Sequence, residues 1–191
     1  DGDKQAWIIA IELAWLGVDR KTPLMLAAAS GNVARLCHLL SATLEISSFA
    51  ELFLNAKDDT GCTALMHAAA AGKQSCLSAL LDAGAQSTLR DAFGRDALLH
   101  AATKGHAGCV EQLIAAGSRC DACHIDGHNA LHAAARSGST DCVELLLGKA
   151  GAEPFVYDST GKTAADYARE AGFSRISRLL RPLAPEFIAH P

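Results

Sequence analysis

Five segments of the chain share one frame. TPLMLAAASG (22–31), TALMHAAAAG (63–72), DALLHAATKG (96–105), NALHAAARSG (129–138) and TAADYAREAG (163–172) align without gaps, and their starts lie 41, 33, 33 and 34 residues apart. A period of about 33 residues commits a chain to stacking, because a unit so short cannot bury its apolar face alone and hides it against its neighbours. The shared columns have physical roles. Thr22, Thr63, Asp96, Asn129 and Thr163 open the segments, and each side chain can cap a helix by accepting a backbone N–H bond. Ala27, Ala68, Ala101, Ala134 and Ala168 follow five residues later, small enough for neighbouring helices to approach closely. Gly31, Gly72, Gly105, Gly138 and Gly172 then end the helix in a left-handed conformation.

A second helix follows each glycine, clearest in CLSALL (76–81), CVEQLI (109–114) and CVELLL (142–147). Beyond it the chain turns into an extended segment such as LNAKDDTG (54–61). Gly61, Gly94, Gly127 and Gly161 stand two residues before a cap, where a projecting hairpin needs its tight turn. Cys76, Cys109 and Cys142 each lie thirteen residues after a cap, one per middle repeat. Metal ligands must converge on one point, whereas repeat-related residues lie a repeat apart, so these thiols read as a packing ladder.

The pattern resembles the ankyrin repeat, carried locally by TPL (22–24), LNAKD (54–58) and Gly105-His106. The resemblance covers about residues 18–181. It implies an all-α ankyrin-repeat solenoid of stacked helix-turn-helix units with β-hairpin fingers. Five repeats are expected over about 18–57, 58–90, 91–123, 124–157 and 158–181, with an N-terminal capping helix in 1–17 and a C-terminal tail at 182–191. The family's usual histidine, three residues after the cap, is present only as His132; Met25, Met66, Leu99 and Asp166 stand elsewhere. Arg20 replaces the finger glycine of repeat one, which predicts a degenerate finger. Repeat two starts eight residues late, and Phe49, Leu52, Phe53 and Leu54 in the intervening 41–56 stretch predict an added helical turn, capped by Ser47 or Ser48, that covers adjacent helices.

Composition excludes several functions. The formal net charge is −4, with both signs spread along the chain, which argues against nucleic-acid or anionic-membrane binding. No apolar run approaches the roughly 18–20 residues of a membrane helix. Seven cysteines, an odd number set mostly in apolar runs, fit a reducing intracellular compartment, cytoplasmic or nuclear. The chain begins without Met, as expected for a monomeric module of a larger protein, including a regulatory domain of a larger enzyme.

Two short motifs suggest chemistry. STGKT (159–163) has the end of a phosphate-binding loop, but Val156 stands where the first glycine belongs. CDACH (120–124) fits covalent haem attachment, and with His128 it offers two thiols and two imidazoles for zinc. Within the frame, Cys120 falls where the family commonly carries valine. Cys120 and Cys123 differ by an odd step and face opposite sides of an extended strand. A zinc or redox-sensing protein using Cys120, Cys123, His124 and His128 is therefore the alternative to an interaction module. No catalytic set and no cofactor is expected.

By the resemblance, a partner protein or extended peptide segment binds the concave face, through finger positions and the last residues of the first helices. The finger candidates are Lys57, Asp59, Arg90, Phe93, Arg95, Ile125, Asp126, His128 and Tyr157. The helix candidates are Thr103, Lys104 and Arg136. Arg90, Arg95, Lys104 and Arg136 give the centre a basic bias around Phe93, which suits an acidic partner.

Overall fold

The computed structural model describes residues 18–45, 50–120 and 123–181. The expected capping helix, Ser47 to Phe49, Asp121-Ala122 and the tail lie outside the described residues. A short 3₁₀ turn, Val18–Arg20, precedes α1 (Pro23–Ser30), α2 (Val33–Glu45) and α3 (Ala50–Leu54). Four helix pairs follow: α4 (Ala64–Ala70) with α5 (Gln74–Asp82), α6 (Ala97–Thr103) with α7 (Ala107–Ala115), α8 (Ala130–Ser137) with α9 (Thr140–Gly148), and α10 (Ala164–Glu170) with α11 (Ser174–Leu180).

The capping residues act as the frame requires. Thr22, Thr63, Asp96, Asn129 and Thr163 each accept a backbone N–H from three residues on. Substituting such a cap by alanine costs about 1 kcal/mol. The first helices α1, α4, α6, α8 and α10 pack in sequence as one layer, and α2, α5, α7, α9 and α11 form the second. The column alanines from Ala27 to Ala168 are buried where the first helices meet. Leu77, Leu80, Val110, Leu113, Val143 and Leu146 fill the second layer; burying each such side chain is worth about 1.5–3 kcal/mol. Cys76, Cys109 and Cys142 are fully buried beside them. Burial pushes these thiols up, Cys109 to about 11, so they stay protonated and serve as small apolar groups.

Glycine is required at the end of α4 for two reasons. Gly72 has φ +68, and a Cβ there would lie 2.8 Å from the His106 ring at the start of α7. That approach lets His106 Nε2 reach the Ala70 carbonyl at 3.2 Å, linking one repeat to the next.

The fingers are tight hairpin turns with almost no regular strand. Among the described residues the one β-bridge is Cys123 with Asn129. In the other fingers a carboxylate adds to the backbone bonds Asp58 N–H to Cys62 O, Asp91 N–H to Arg95 O and Asp158 N–H to Lys162 O. Asp58 accepts from the Thr60 and Cys62 amides, Asp91 from those of Phe93 and Arg95, and Asp158 from those of Thr160 and Lys162. Neighbouring fingers are joined by Ala92 N–H to Thr60 O, Ile125 N–H to Phe93 O and Ser159 N–H to Asp126 O, each 3.0 Å.

The first finger keeps a turn despite its missing glycine. Asp19 and Arg20 adopt φ 69 and 53, a conformation that costs about 1–2 kcal/mol per non-glycine residue. Asp19 O accepts from the Asp59 amide, and Arg20 lies 3.8 Å from the Asp59 carboxylate. In the insertion, α3 forms as expected and Leu54 is buried, but Leu52 is exposed. Gln86 ties this segment to the next repeat by bonding Glu51 and Asn55.

Candidate functional site

The finger carboxylates do more than close turns. Asp58 Oδ2 bonds His67 Nε2 at 2.8 Å, Asp91 Oδ2 bonds His100 Nε2 at 3.0 Å, and Asp158 Oδ2 accepts from the Tyr167 hydroxyl. In each pair the acid stands five residues before the helix cap and its partner four after it. Each ring thus locks a finger onto its own first helix. Burial raises the carboxyls of Asp58, Asp91 and Asp158, but the hydrogen bonds they accept outweigh it and hold all three below the usual range.

Repeat four breaks this rule twice. His124 occupies the acid's place and Ala133 the ring's. Without the ring, a cavity of about 180 Å³ opens between finger and helix. Ala133, Leu99 and Thr103 line it from the first helices; His124, Asp126 and His128 from finger four; and Arg95, Arg136, His132 and Tyr167 complete it. His132 does not fill the space. Its ring turns toward the next repeat, where Nε2 donates to the Lys162 carbonyl at 3.3 Å and Nδ1 accepts from the Asn129 amide at 3.3 Å. Nδ1 also lies 2.7 Å from Asn129 Oδ1, and burial holds the His132 pKa below the usual imidazole value.

Five of the twelve sequence-predicted contact residues line this cavity: Arg95, Thr103, Asp126, His128 and Arg136. Two of them have structural duties. The Thr103 hydroxyl donates to Leu99 O at 2.7 Å, and His128 Nε2 lies 2.8 Å from Asp158 and 2.6 Å from the Tyr167 hydroxyl. Arg95 Nε donates to Asp91 at 2.8 Å, while Arg136 is exposed and has no polar side-chain partner among the described residues.

The other seven surround the cavity or extend along the fingers. Phe93 is 41% exposed and has two ring contacts: Arg95 lies over its ring at 4.8 Å and His124 stacks nearly parallel at 6.0 Å. Ile125 and Tyr157 are highly exposed, as are Arg90 and Lys104. Lys57 donates to Arg90 O, and Asp59 pairs with Arg20. Sequence reasoning missed Leu99, His132, Ala133 and Tyr167. The available signal was the column comparison: acid and ring in three repeats, His124 and Ala133 in the fourth.

Two side-chain groups have metal-ligand spacing among the described residues. His124, Asp126 and His128 offer atoms within 4.8 Å of one another, as do Cys62, Asp91 and His100. Neither contains Cys120 or Cys123, so the zinc set expected from CDACH is not assembled. The finger turn brings His124 and His128 together, with the His124 amide donating to His128 O at 2.8 Å, while Cys120 packs against the core and Cys123 bridges to Asn129. Existing bonds occupy these histidines: His124 Nδ1 accepts from the Asp126 amide at 3.2 Å, and His128 Nε2 faces Tyr167 and Asp158. In the second group, burial raises the Cys62 thiol, and its Sγ lies 3.8 Å from both Asp91 and His100.

A family model described as ankyrin repeats (3 copies) matches residues 9–91 and 98–186. No curated protein matches the chain. Among the described residues, no helix is long and apolar enough to cross a membrane.

Proposed function

This chain belongs to the ankyrin-repeat family, and from that premise we propose that it is a non-catalytic module binding an extended, acidic segment of a partner protein along its fingers and first helices. Ankyrin repeats are generally protein–protein interaction modules. The observation that carries the finer reading is Phe93, an exposed aromatic in contact with Arg95 and His124, on repeats whose first helices end in the exposed cations Lys104 and Arg136. An aromatic ring already fixed in place loses little entropy on binding, and aromatic and arginine side chains dominate interface energies. The exposed Ile125 and Tyr157 extend this strip toward repeat five.

The test reverses the charges of Lys104 and Arg136 together. Both are exposed and without polar side-chain partners among the described residues, so the fold tolerates the change. Reversing Arg95 is a poorer probe, because it would set a second acid against buried Asp91. The Lys104→Glu/Arg136→Glu chain is expected to keep its thermal transition and to lose about tenfold or more in affinity for a partner captured with the unmodified chain. Equal binding by both chains would reject this surface.

A further inference from the structure

Repeat four gives up an acid and a ring where its neighbours keep both. Its finger therefore lacks the turn-closing carboxylate at the His124 position, keeping only the exposed Asp126 at its tip, and its first helix lacks the side chain that would fill the space above Ala133. The resulting cavity, about 180 Å³, is smaller than the roughly 300–1,000 Å³ of typical small-molecule sites. It suits one side chain. Its polar walls select which one. Arg136 has no counter-ion among the described residues, and Arg95 uses Nε on Asp91, leaving its terminal nitrogens without a hydrogen bond among the described residues. Of the acids nearby, Asp158 is engaged by Tyr167 and His128, and the Asp126 carboxylate lies 3.0 Å from His124 Nδ1 with its side chain 56% exposed at the finger tip. Arg136 and the terminal nitrogens of Arg95 thus have hydrogen-bond donors to offer a carboxylate.

We propose that this cavity seats one side-chain carboxylate, a glutamate or aspartate of the extended partner segment, gripped by Arg136 and the terminal nitrogens of Arg95. The proposal rests on the interaction-module reading and gives it a point of specificity. The visiting acid supplies a carboxylate where His124 replaces the acid of the other fingers. Its stem lies over Ala133 and Leu99, where the other repeats place their own rings. Guanidinium groups suit this role, because their planar donors match a carboxylate with two parallel bonds. Phe93, fixed against Arg95, lies beside the entrance and covers the bound stem.

The probe is a blocked extended peptide, Gly-Ser-Pro-Glu-Pro-Ser-Gly, titrated into the isotope-labelled full chain up to millimolar concentration. The same peptide with glutamine is the control. The expected result is a saturable shift of the Ala133, Arg136 and Thr103 amide signals and of Arg95 Nε, with the glutamine peptide weaker by about tenfold. Ala133→His, which restores the ring that His67 and His100 provide elsewhere, is expected to abolish these shifts. Arg136→Gln weakens them without altering the fold. The proposal is overturned by equal binding of both peptides, by Ala133→His binding unchanged, by shifts centred elsewhere, or by no saturable shift. If the peptide fails here while the Lys104/Arg136 reversal still abolishes partner binding, the interaction surface stands and the carboxylate seat alone is lost.

Discussion

Repeats three and four have matching helix pairs, a capping side chain at the same place and fingers of equal length, yet one is closed and the other open. In repeat three, Asp91 accepts from two finger amides, from Arg95 Nε and from His100, joining finger to helix through one buried carboxylate. In repeat four, His124 accepts one finger amide, the Cys123–Asn129 bridge does the rest, and the space over Ala133 is empty of side chain. Scaffold and recognition are therefore separable in this chain. The periodic residues build the unit, and a departure at two positions turns a structural joint into a cavity without disturbing cap or turn.

The comparison breaks most sharply at the carboxylate. Asp91→Ala strands the Phe93 and Arg95 amides and the His100 ring, and is expected to cost about 3 kcal/mol in urea unfolding. His124→Ala at the equivalent place removes a single weak acceptor and should cost about 1 kcal/mol or less. Acid sharpens the contrast. Burial raises the Asp91 carboxyl, but bonds from Arg95, Phe93 and His100 hold it below the usual range. Such a group stabilises the fold above the unfolded carboxyl value of about 4, and its contribution is lost as pH falls through the lower folded value. His100 adds to the same trend. Burial first, then the Arg95 charge, keep its pKa below that of a free imidazole, so the unfolded chain takes up the proton first as pH drops below about 6.5. Stability measured against pH should therefore fall on acidification, with a shallower limb in Asp91→Asn than in the unmodified chain. Equal limbs would remove Asp91 from the account.

A second contrast separates joints between fingers from turns alone. Gly94 has φ +81, and a Cβ there would lie 2.6 Å from the Cys123 carbonyl, against the backbone of the next finger. Gly161 has φ +76 but nothing within 4 Å of its Cβ direction. Gly94→Ala is expected to destabilise by about 2 kcal/mol, since it adds a backbone clash to the left-handed penalty, and Gly161→Ala by about 1 kcal/mol from the penalty alone. Thermal unfolding of the two variants decides this. If they match, the finger-to-finger contact at Phe93 and Ile125 is slack.

What was legible in the sequence follows from the same division. Caps, small-residue columns and turn glycines recur at fixed spacing because local geometry demands them, so Thr63, Ala68, Gly72 and their equivalents could be read without a structure. Cys76, Cys109 and Cys142 were legible as core for the same reason. The bonds made by His128 and Thr103 were not legible: one reaches a tyrosine 39 residues away and the other its own helix. Hydrogen-bond direction is not periodic, so spacing could not show it. The fingers are hairpin turns too short for regular strands, and the aspartate that reinforces three of them could not be read from turn glycines alone. The cavity escaped notice because it is made by what repeat four lacks, and motif reading looks for residues that are present.

The finest test grafts one repeat onto the other. His124→Asp with Ala133→His gives repeat four the acid and ring of repeat three. Either change alone should be near neutral or slightly destabilising, since the new acid faces no ring and the new ring faces no acid. Together they should form the finger-to-helix bond seen between Asp91 and His100, with a coupling of about 1 kcal/mol in a double-mutant cycle. A coupling near zero would mean that the two columns do not explain the difference between repeats, and that the cavity is set by Tyr167 and His132 from the neighbouring structure. A positive coupling in a chain that no longer takes up the glutamate peptide would show one pair of positions choosing between stability and recognition.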